Sequence, residues 1–217
     1  MSNLSVLATK DGYRLERVLG GRKETALLRF RHRVFREELQ WVPLSVDGLD
    51  RDEYDGFSEN LGVFVNQRAV GSVRMTPGCQ RFMIEKEFSA LLPEGWTLQK
   101  GADSAEVTRF AVDIDQRGRR IEPAALLLYH CLYRWAELNR VRWMYFVVEP
   151  PFFRRLARMG FPIFPIGEAK PLDGGVVSQA AFFDWHSADP SFIRWLRQAV
   201  ECPAAVQAQS HEFDYWH

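Results

Sequence analysis

The chain has little that would tie it to a membrane, a metal or a polyanion. No apolar run reaches the roughly 20 residues that a spanning helix requires. The N-terminus, MSNLSVLATKDGYRLERV, lacks the basic, apolar and small-residue succession of a secretory leader. Three cysteines, Cys79, Cys131 and Cys202, are few, odd in number and without metal-ligand spacing, which points to a reducing compartment and to no chemical role. Lys plus Arg and Asp plus Glu balance at 28 each, so net charge gives no support for nucleic-acid binding. Neither an internal repeat nor a low-complexity linker divides the sequence. What is present, 47% hydrophobic and 13% aromatic residues over 217 positions, suits one large domain spanning 1–217 with a substantial core. The expectation is a soluble cytoplasmic protein with no membrane insertion.

The stretch LLRFRHRVFREELQW, Leu27 to Trp41, reads as a helix through Leu27, Leu28, Phe30, Val34, Phe35 and Leu39. Arg31 falls on that apolar stripe, four residues after Leu27 and four before Phe35. A guanidinium cannot lose its proton, so here it either snorkels to water or meets a carboxylate. The segment PLSVDGLDRDEYDGFSEN reads as an ordered loop anchored by Val46, Leu49, Tyr54 and Phe57. LGVFV and AVGSVRM flank NQR as a hairpin. CQRFMIEKEFSALLP contains a short helix, Ala105 to Asp113 a strand, and IEPAALLLYHCLYRWAELNR a long helix with Pro123 in its first turn. WMYFVV is continuous enough for a strand buried on both faces. PPFFRRLARMG is a helix stopped by Gly160, VVSQAAFFDW a late strand, and Asp189-Pro190 opens a last helix. Strands that precede and then alternate with helices predict an α/β fold, a three-layer α/β/α domain around one mixed, twisted sheet.

Charge is placed where it is costly. DRDEYD brings Asp50, Asp52 and Asp55 together, either as a solvated turn or as partners for buried cations. Glu106 and Arg109 are three apart on a strand and point to opposite faces unless a bulge intervenes. Arg74 ends the apolar strand GSVRM. Charges inside apolar strands require pairing, and buried ionic clusters mark functional sites more often than chance. In DIDQRGRRIEP, Arg117, Gly118, Arg119 and Arg120 join a strand to the long helix, where guanidinium groups and helix amides suit an anion. This turn loosely resembles the pyrophosphate loop of GNAT-type acyltransferases, with its second glycine absent and Arg120 near that place.

Taken together, Arg31-x3-Phe35-x5-Trp41, Asp52-x2-Asp55, Arg74, Phe88 and Glu106-x2-Arg109 resemble the signature of the acyl-homoserine lactone synthases, the autoinducer synthases of bacterial quorum sensing. The likeness covers order, residue type and spacing from about Arg31 to Phe110. It implies a GNAT-like fold, no metal and no permanently bound cofactor. The implied substrates are S-adenosylmethionine and an acyl thioester, on coenzyme A or on acyl carrier protein. By this resemblance Phe35 and Trp41 shape the S-adenosylmethionine pocket, and Asp52 and Asp55 hold the cationic substrate or order the loop around it. Arg31, Arg74 and Arg109 pair with those acids and with Glu106. Glu106 is the base or water-orienting group, backbone carbonyls near Arg109 and Phe110 hold the amine, and Phe88 packs.

Phe146 stands where synthases of 3-oxoacyl signals often carry a threonine; it either packs in the core or lines the acyl pocket with Val148, Phe152, Val107 and Thr108. In the second case Phe146 offers no hydroxyl to a 3-oxo group, and a short, branched or aryl chain is expected. Arg117, Arg119 and Arg120, with Arg140, Arg142, Arg154, Arg155 and Arg158, form a basic surface for coenzyme A phosphates or for acidic acyl carrier protein, coenzyme A being preferred. Two other readings fit parts of the pattern: a GNAT-type N-acyltransferase acting on a different amine, and a non-catalytic sensor on the same scaffold.

Overall fold

The computed structural model describes residues 6–113, 122–172 and 175–203. Its frame is one sheet. Strands β1 (Val6–Lys10), β2 (Tyr13–Val18), β3 (Glu59–Val65), β4 (Arg68–Pro77) and β5 (Ser104–Val112) follow one another as antiparallel neighbours. Next comes β6 (Trp143–Val148), parallel to β5, and then β9 (Val177–Asp184) and β7 (Ile163–Pro165), both antiparallel. The two-residue β8 (Lys170–Pro171) pairs with β9.

Helix α1 (Gly21–His32) covers one face with the apolar stripe read from the sequence: Leu27, Phe30, Val34 and Phe35 are buried against Phe64, Ala69 and Ala111. The helix continues as a wider π-helical turn, Arg33–Glu38. Such turns occur often at functional sites, because one extra residue per turn re-aims the side chains beyond it. On the same face, short α2 (Met83–Lys86) packs with Phe82, Ile84 and Leu91 against Tyr145 of β6.

The opposite face carries α3 (Pro123–Leu138), α4 (Pro150–Met159) and α5 (Pro190–Gln198), so the layers are α/β/α as expected. Pro123 fits the first turn of α3 because its missing N–H has no intrahelical partner there. Twelve of the residues of α3, including Tyr129, His130 and Tyr133, are buried, more than one face of a helix. The cause is α5, which lies over the outer side and whose Leu196 carbonyl meets His130 Nδ1 at 2.9 Å. In β6, Met144 and Phe146 face the α3 layer while Tyr145 faces α2, the two-sided burial expected of WMYFVV.

One expectation fails locally. Val46 is fully exposed and anchors nothing, whereas Tyr54 in the same loop is buried. An apolar residue in a polar loop carries no burial signal of its own.

What positions the site is a parting of two central strands. β5 and β6 pair only from Ser104–Trp143 to Glu106–Tyr145, and both continue beyond without pairing to each other. Along its other edge β5 bulges: Ser72 pairs with Ala111 and Arg74 with Thr108, so β5 spends one residue more than β4, and Arg109 takes φ 53°.

Helix α4 ends at Gly160 with φ 95°, where an added Cβ would lie 3.2 Å from Phe192 Cδ2. Gly160→Ala is expected to lower the unfolding free energy by about 1–2 kcal/mol, measured by urea denaturation; an unchanged midpoint would contradict the cap.

Candidate active site

The bulge decides which face Arg109 takes. A regular strand would send Glu106 and Arg109 to opposite sides of the sheet; the extra residue brings both to the α1/α2 side. There Arg109 Nε donates to Asp50 Oδ2 at 2.7 Å and Nη2 to Asp52 Oδ2 at 2.9 Å, with the guanidinium 5.3 Å from the Phe35 ring centroid. Arg31, fully buried, donates from Nε to the same Asp50 oxygen at 2.9 Å and from Nη1 and Nη2 to Asp55 at 2.8 and 3.2 Å. Asn60 accepts a further Nη1 bond at 2.9 Å. Arg31 therefore faces inward because four of its hydrogen bonds end on Asp50, Asp55 and Asn60 inside the fold.

Arg74, also fully buried, completes the lattice. Its Nε donates to Thr108 Oγ1 at 2.9 Å, Nη1 to Asp52 Oδ1 at 2.5 Å, and Nη2 to Met83 Sδ at 3.0 Å. Arg36, on the π-helical turn, reaches Asp50 Oδ1 at 2.8 Å and the Pro43 carbonyl. The loop after α1 is thereby fastened over the site. Trp41 N–H donates to the Phe35 carbonyl at 2.9 Å, and Asp50 N–H to the Leu28 carbonyl at 3.1 Å. Asp52 and Asp55 also cap the turn Glu53–Phe57, so the acids are ordered by backbone as well as by cations.

Asp50 is the hub. The sequence grouped it with the other two acids, but the resemblance gave roles only to Asp52 and Asp55. Its candidacy was legible, with three carboxylates and three inward arginines in the sequence; its rank was not, because that rests on its having no exposed surface. Burial alone would raise its pKa, but the Arg109 and Arg31 guanidiniums hold it far below the usual carboxylate range. At Asp55 burial is likewise outweighed, by Arg31 and then Arg74, and its pKa falls to about 2. Four guanidiniums thus meet three carboxylates in one lattice.

Glu106, expected as the base or water-orienting group, faces α2. Its two oxygens accept the Met83 and Ile84 backbone N–H groups, each at 2.7 Å, at the start of α2. Burial pushes its pKa up to about 7 against those two bonds and the Arg74 charge. It does not line the cavity beside it. The Arg109 carbonyl, a candidate amine acceptor, receives the Ser72 hydroxyl at 2.5 Å. Phe88 is half-buried in the α2 cluster and packs.

That cavity, of about 350 Å³, fills the wedge between the parted strands. Phe35, Trp41 and Arg109 line one end; Val107, Thr108 and Phe110 follow along β5; Phe146, Val148 and Phe152 line the α3/α4 side. Phe146 is both core and wall: it is buried, packs 4.4 Å from the Phe183 ring, and faces the cavity. Asp52 and Asp55 stand behind Arg109 with their oxygens taken by cations and turn amides. They order the loop.

Arg117, Arg119 and Arg120 lie outside the described residues. Of the other expected basic residues, Arg142 is committed to Asp184 at 2.9 and 3.0 Å, while Arg155 stands at the cavity rim. Among the described residues, no group of three His, Cys, Asp or Glu could hold a metal ion, and no helix is long and apolar enough to cross a membrane.

The family model described as autoinducer synthase matches residues 18–189, and the chain belongs to that family. It is 33% identical over 164 residues to a probable acyl-homoserine-lactone synthase of Sinorhizobium fredii, covering 71% of this chain and 78% of that one. Among solved structures it is similar to BjaI, a CoA-dependent acyl-homoserine lactone synthase with SAM and isopentyl-CoA, at TM-score 0.68 and 20% identity over 86% of this chain and 90% of that chain. It is also similar to an acyl-CoA N-acyltransferase from Pseudomonas aeruginosa, at TM-score 0.51 and 16% identity over 79% and 97%. The protein is an acyl-homoserine-lactone synthase, an acyltransferase drawing on S-adenosylmethionine, with a GNAT-like fold.

Two predictions follow from the lattice. Asp50→Ala strips acceptors from three guanidiniums and is expected to cost about 3–5 kcal/mol of stability, read by urea denaturation; a loss under 1 kcal/mol would contradict its place as hub. The second concerns pH. Asp50 and Asp55, both depressed, add stability above their ordinary range, and the Asp55 share is lost as pH falls through about 2. Glu106, raised from 4.5 to about 7, acts in the opposite sense. It favours the native state fully below pH 4.5, and that contribution fades as pH rises through 7. Stability is therefore expected to decline between pH 4.5 and 7 at this group, and Glu106→Gln to flatten the decline; an unaltered slope would refute it.

Proposed function

We propose that the two ends of the cavity take the two substrates. The methionyl part of S-adenosylmethionine sits against Phe35, Trp41 and Arg109. The aromatic ring faces suit a sulfonium, and the excess of guanidinium over carboxylate suits the methionyl carboxylate. The acyl thioester enters between α3 and α4, with its chain against Val107, Thr108, Phe146, Val148 and Phe152. The observation that carries this reading is the cavity itself, which joins an ion lattice at one end to an apolar wall at the other across the strand parting.

The amine of S-adenosylmethionine attacks the thioester carbonyl. The amide C–N bond forms, the C–S bond breaks, and of the two protons the ammonium sheds, one ends on the thiol and the other in solvent. The methionyl carboxylate then attacks its own γ-carbon, closing the lactone as the Cγ–S bond breaks and methylthioadenosine leaves. The sulfonium is already a good leaving group, so the protein's contribution is alignment. Backbone N–H groups freed where β5 and β6 part are placed to steady the thioester oxyanion. Glu106 acts as a positioning residue: with both oxygens on α2 amides it holds Met83 between Arg74 and Arg109. The base reading of Glu106 gives way to this one.

Coenzyme A is the preferred acyl carrier. The order of β5, the basic segment 114–121 and α3 supports it, as does the likeness in fold to BjaI, whose structure holds SAM and isopentyl-CoA. Acyl carrier protein is the alternative. A wall formed by Phe146, Phe152 and Phe183 favours a short, branched or aryl acyl group without a 3-oxo substituent. Incubation with S-adenosylmethionine and isovaleryl, octanoyl or 3-oxohexanoyl thioesters, on either carrier, tests this by methylthioadenosine release. Isovaleryl-CoA is expected to lead; a clear preference for 3-oxohexanoyl, or for the carrier-protein thioesters, would overturn the respective choice. Glu106→Gln is expected to raise KM for S-adenosylmethionine more than it lowers kcat; a fall in kcat of about 10²-fold or more at unchanged KM would restore it as base.

A further inference from the structure

Among the described residues, the α3/α4 end of the cavity contains one buried polar side chain that the reaction described above does not use. Tyr129, midway along α3, lines the cavity and is only 1% exposed. Its hydroxyl makes no hydrogen bond to any described residue, whereas the buried hydroxyls of Tyr133 and Tyr145 are both bonded. Thr108, the other hydroxyl on this wall, already accepts from Arg74. Glu122, Glu149 and Arg155 stand around the same cavity but are exposed or half-exposed. Tyr129 is thus the one buried, uncommitted hydrogen-bonding side chain on the acyl wall among the described residues.

The surfaces beside it are flat. Phe110 stacks on the Tyr129 ring, centroids 5.6 Å apart and planes 17° from parallel, and Phe152 lies against Phe110 at 5.7 Å. Deeper in, Phe146 and Phe183 close the wall. Aromatic faces and edges favour a planar ring between them. A rigid ring also loses fewer rotamers on binding than an alkyl chain of equal length.

We propose that Tyr129 is a specificity-determining residue, and that this pocket takes a planar aryl acyl group carrying a phenolic hydroxyl, which exchanges a hydrogen bond with the Tyr129 hydroxyl. The proposal rests on the reading of the α3/α4 end as the acyl pocket and narrows it. A hydroxyl-free ring would fill the same space and leave the Tyr129 oxygen without a partner. That is the situation in which polar sites discriminate strongly between analogues. An alkyl chain with an oxygen at carbon 3 could also meet the hydroxyl but would leave the flat walls poorly filled.

The test uses the full chain, S-adenosylmethionine and four coenzyme A thioesters: 4-hydroxycinnamoyl, cinnamoyl, isovaleryl and 3-oxohexanoyl, with methylthioadenosine release as the readout. Wild type is expected to favour 4-hydroxycinnamoyl over cinnamoyl by at least tenfold in kcat/KM, and Tyr129→Phe to bring that ratio close to one. A wild-type ratio near or below one overturns the proposal without recourse to any variant. So does a ratio that Tyr129→Phe leaves unchanged, since the hydroxyl would then not read the substrate. If 3-oxohexanoyl is the donor whose rate depends on the hydroxyl, the aryl assignment falls. Turnover of isovaleryl alone keeps the acyl-pocket reading and rejects this one; no turnover of any donor rejects both.

Discussion

Asp50 and the three guanidiniums that converge on it are the constraint from which the rest of the site follows. A carboxylate with no exposed surface is tolerated only where cations and hydrogen bonds replace its water. Here Arg31 arrives from α1, Arg36 from the π-helical turn and Arg109 from the β5 bulge. Helix α1, its π-helical continuation and β5 are thereby fixed to one another, although β5 lies far from the other two in sequence. The loop carrying Asp50, Asp52 and Asp55 is the common counter-ion that locks α1 to the sheet. Buried ionic lattices of this kind seldom improve on an apolar core for stability alone. This lattice stands behind one end of the cavity, where Arg109 belongs to both.

The second constraint is in the backbone. β5 is bound along one edge by β4 throughout, but along the other by β6 for only three residue pairs. The bulge at Arg109 bends it away, and the cavity occupies the resulting wedge. A single extra residue therefore accompanies the opening of the cavity and turns a guanidinium into the lattice beside it. The two arrangements are one structural event, which is why the ion lattice and the aromatic wall share a boundary at Arg109 and Phe110.

Much of this was legible in the sequence because its causes are local. Helical spacing placed Arg31 on the buried stripe of α1, Gly160 ended α4, and the continuous apolar run WMYFVV marked a strand covered on both sides. The acids and arginines were recognisable as candidates because charge inside apolar elements is costly. What remained hidden depends on register or on distant chain. A bulge is invisible in EVTRF, so the shared face of Glu106 and Arg109 could only be posed as a condition. The rank of Asp50 over Asp52 and Asp55 depends on which of three neighbouring loop residues is fully enclosed. Glu106 looked like a base because its type and surroundings fit; that both its oxygens meet backbone amides of α2, over twenty residues away, was not visible. Val46 misled for the converse reason: its apolar side chain finds nothing to pack against.

The central claim is that the Asp50 lattice builds the S-adenosylmethionine end of the cavity and leaves the acyl end to the aromatic wall. The most direct measurement is calorimetric titration of S-adenosylmethionine, and separately of an acyl-coenzyme A donor, into wild type and Asp50→Asn. This substitution keeps the side chain's shape and removes its charge. The account predicts that S-adenosylmethionine binding weakens at least tenfold, about 1.4 kcal/mol, while donor affinity stays within about twofold. Equal affinity for S-adenosylmethionine in a variant that remains folded would contradict it.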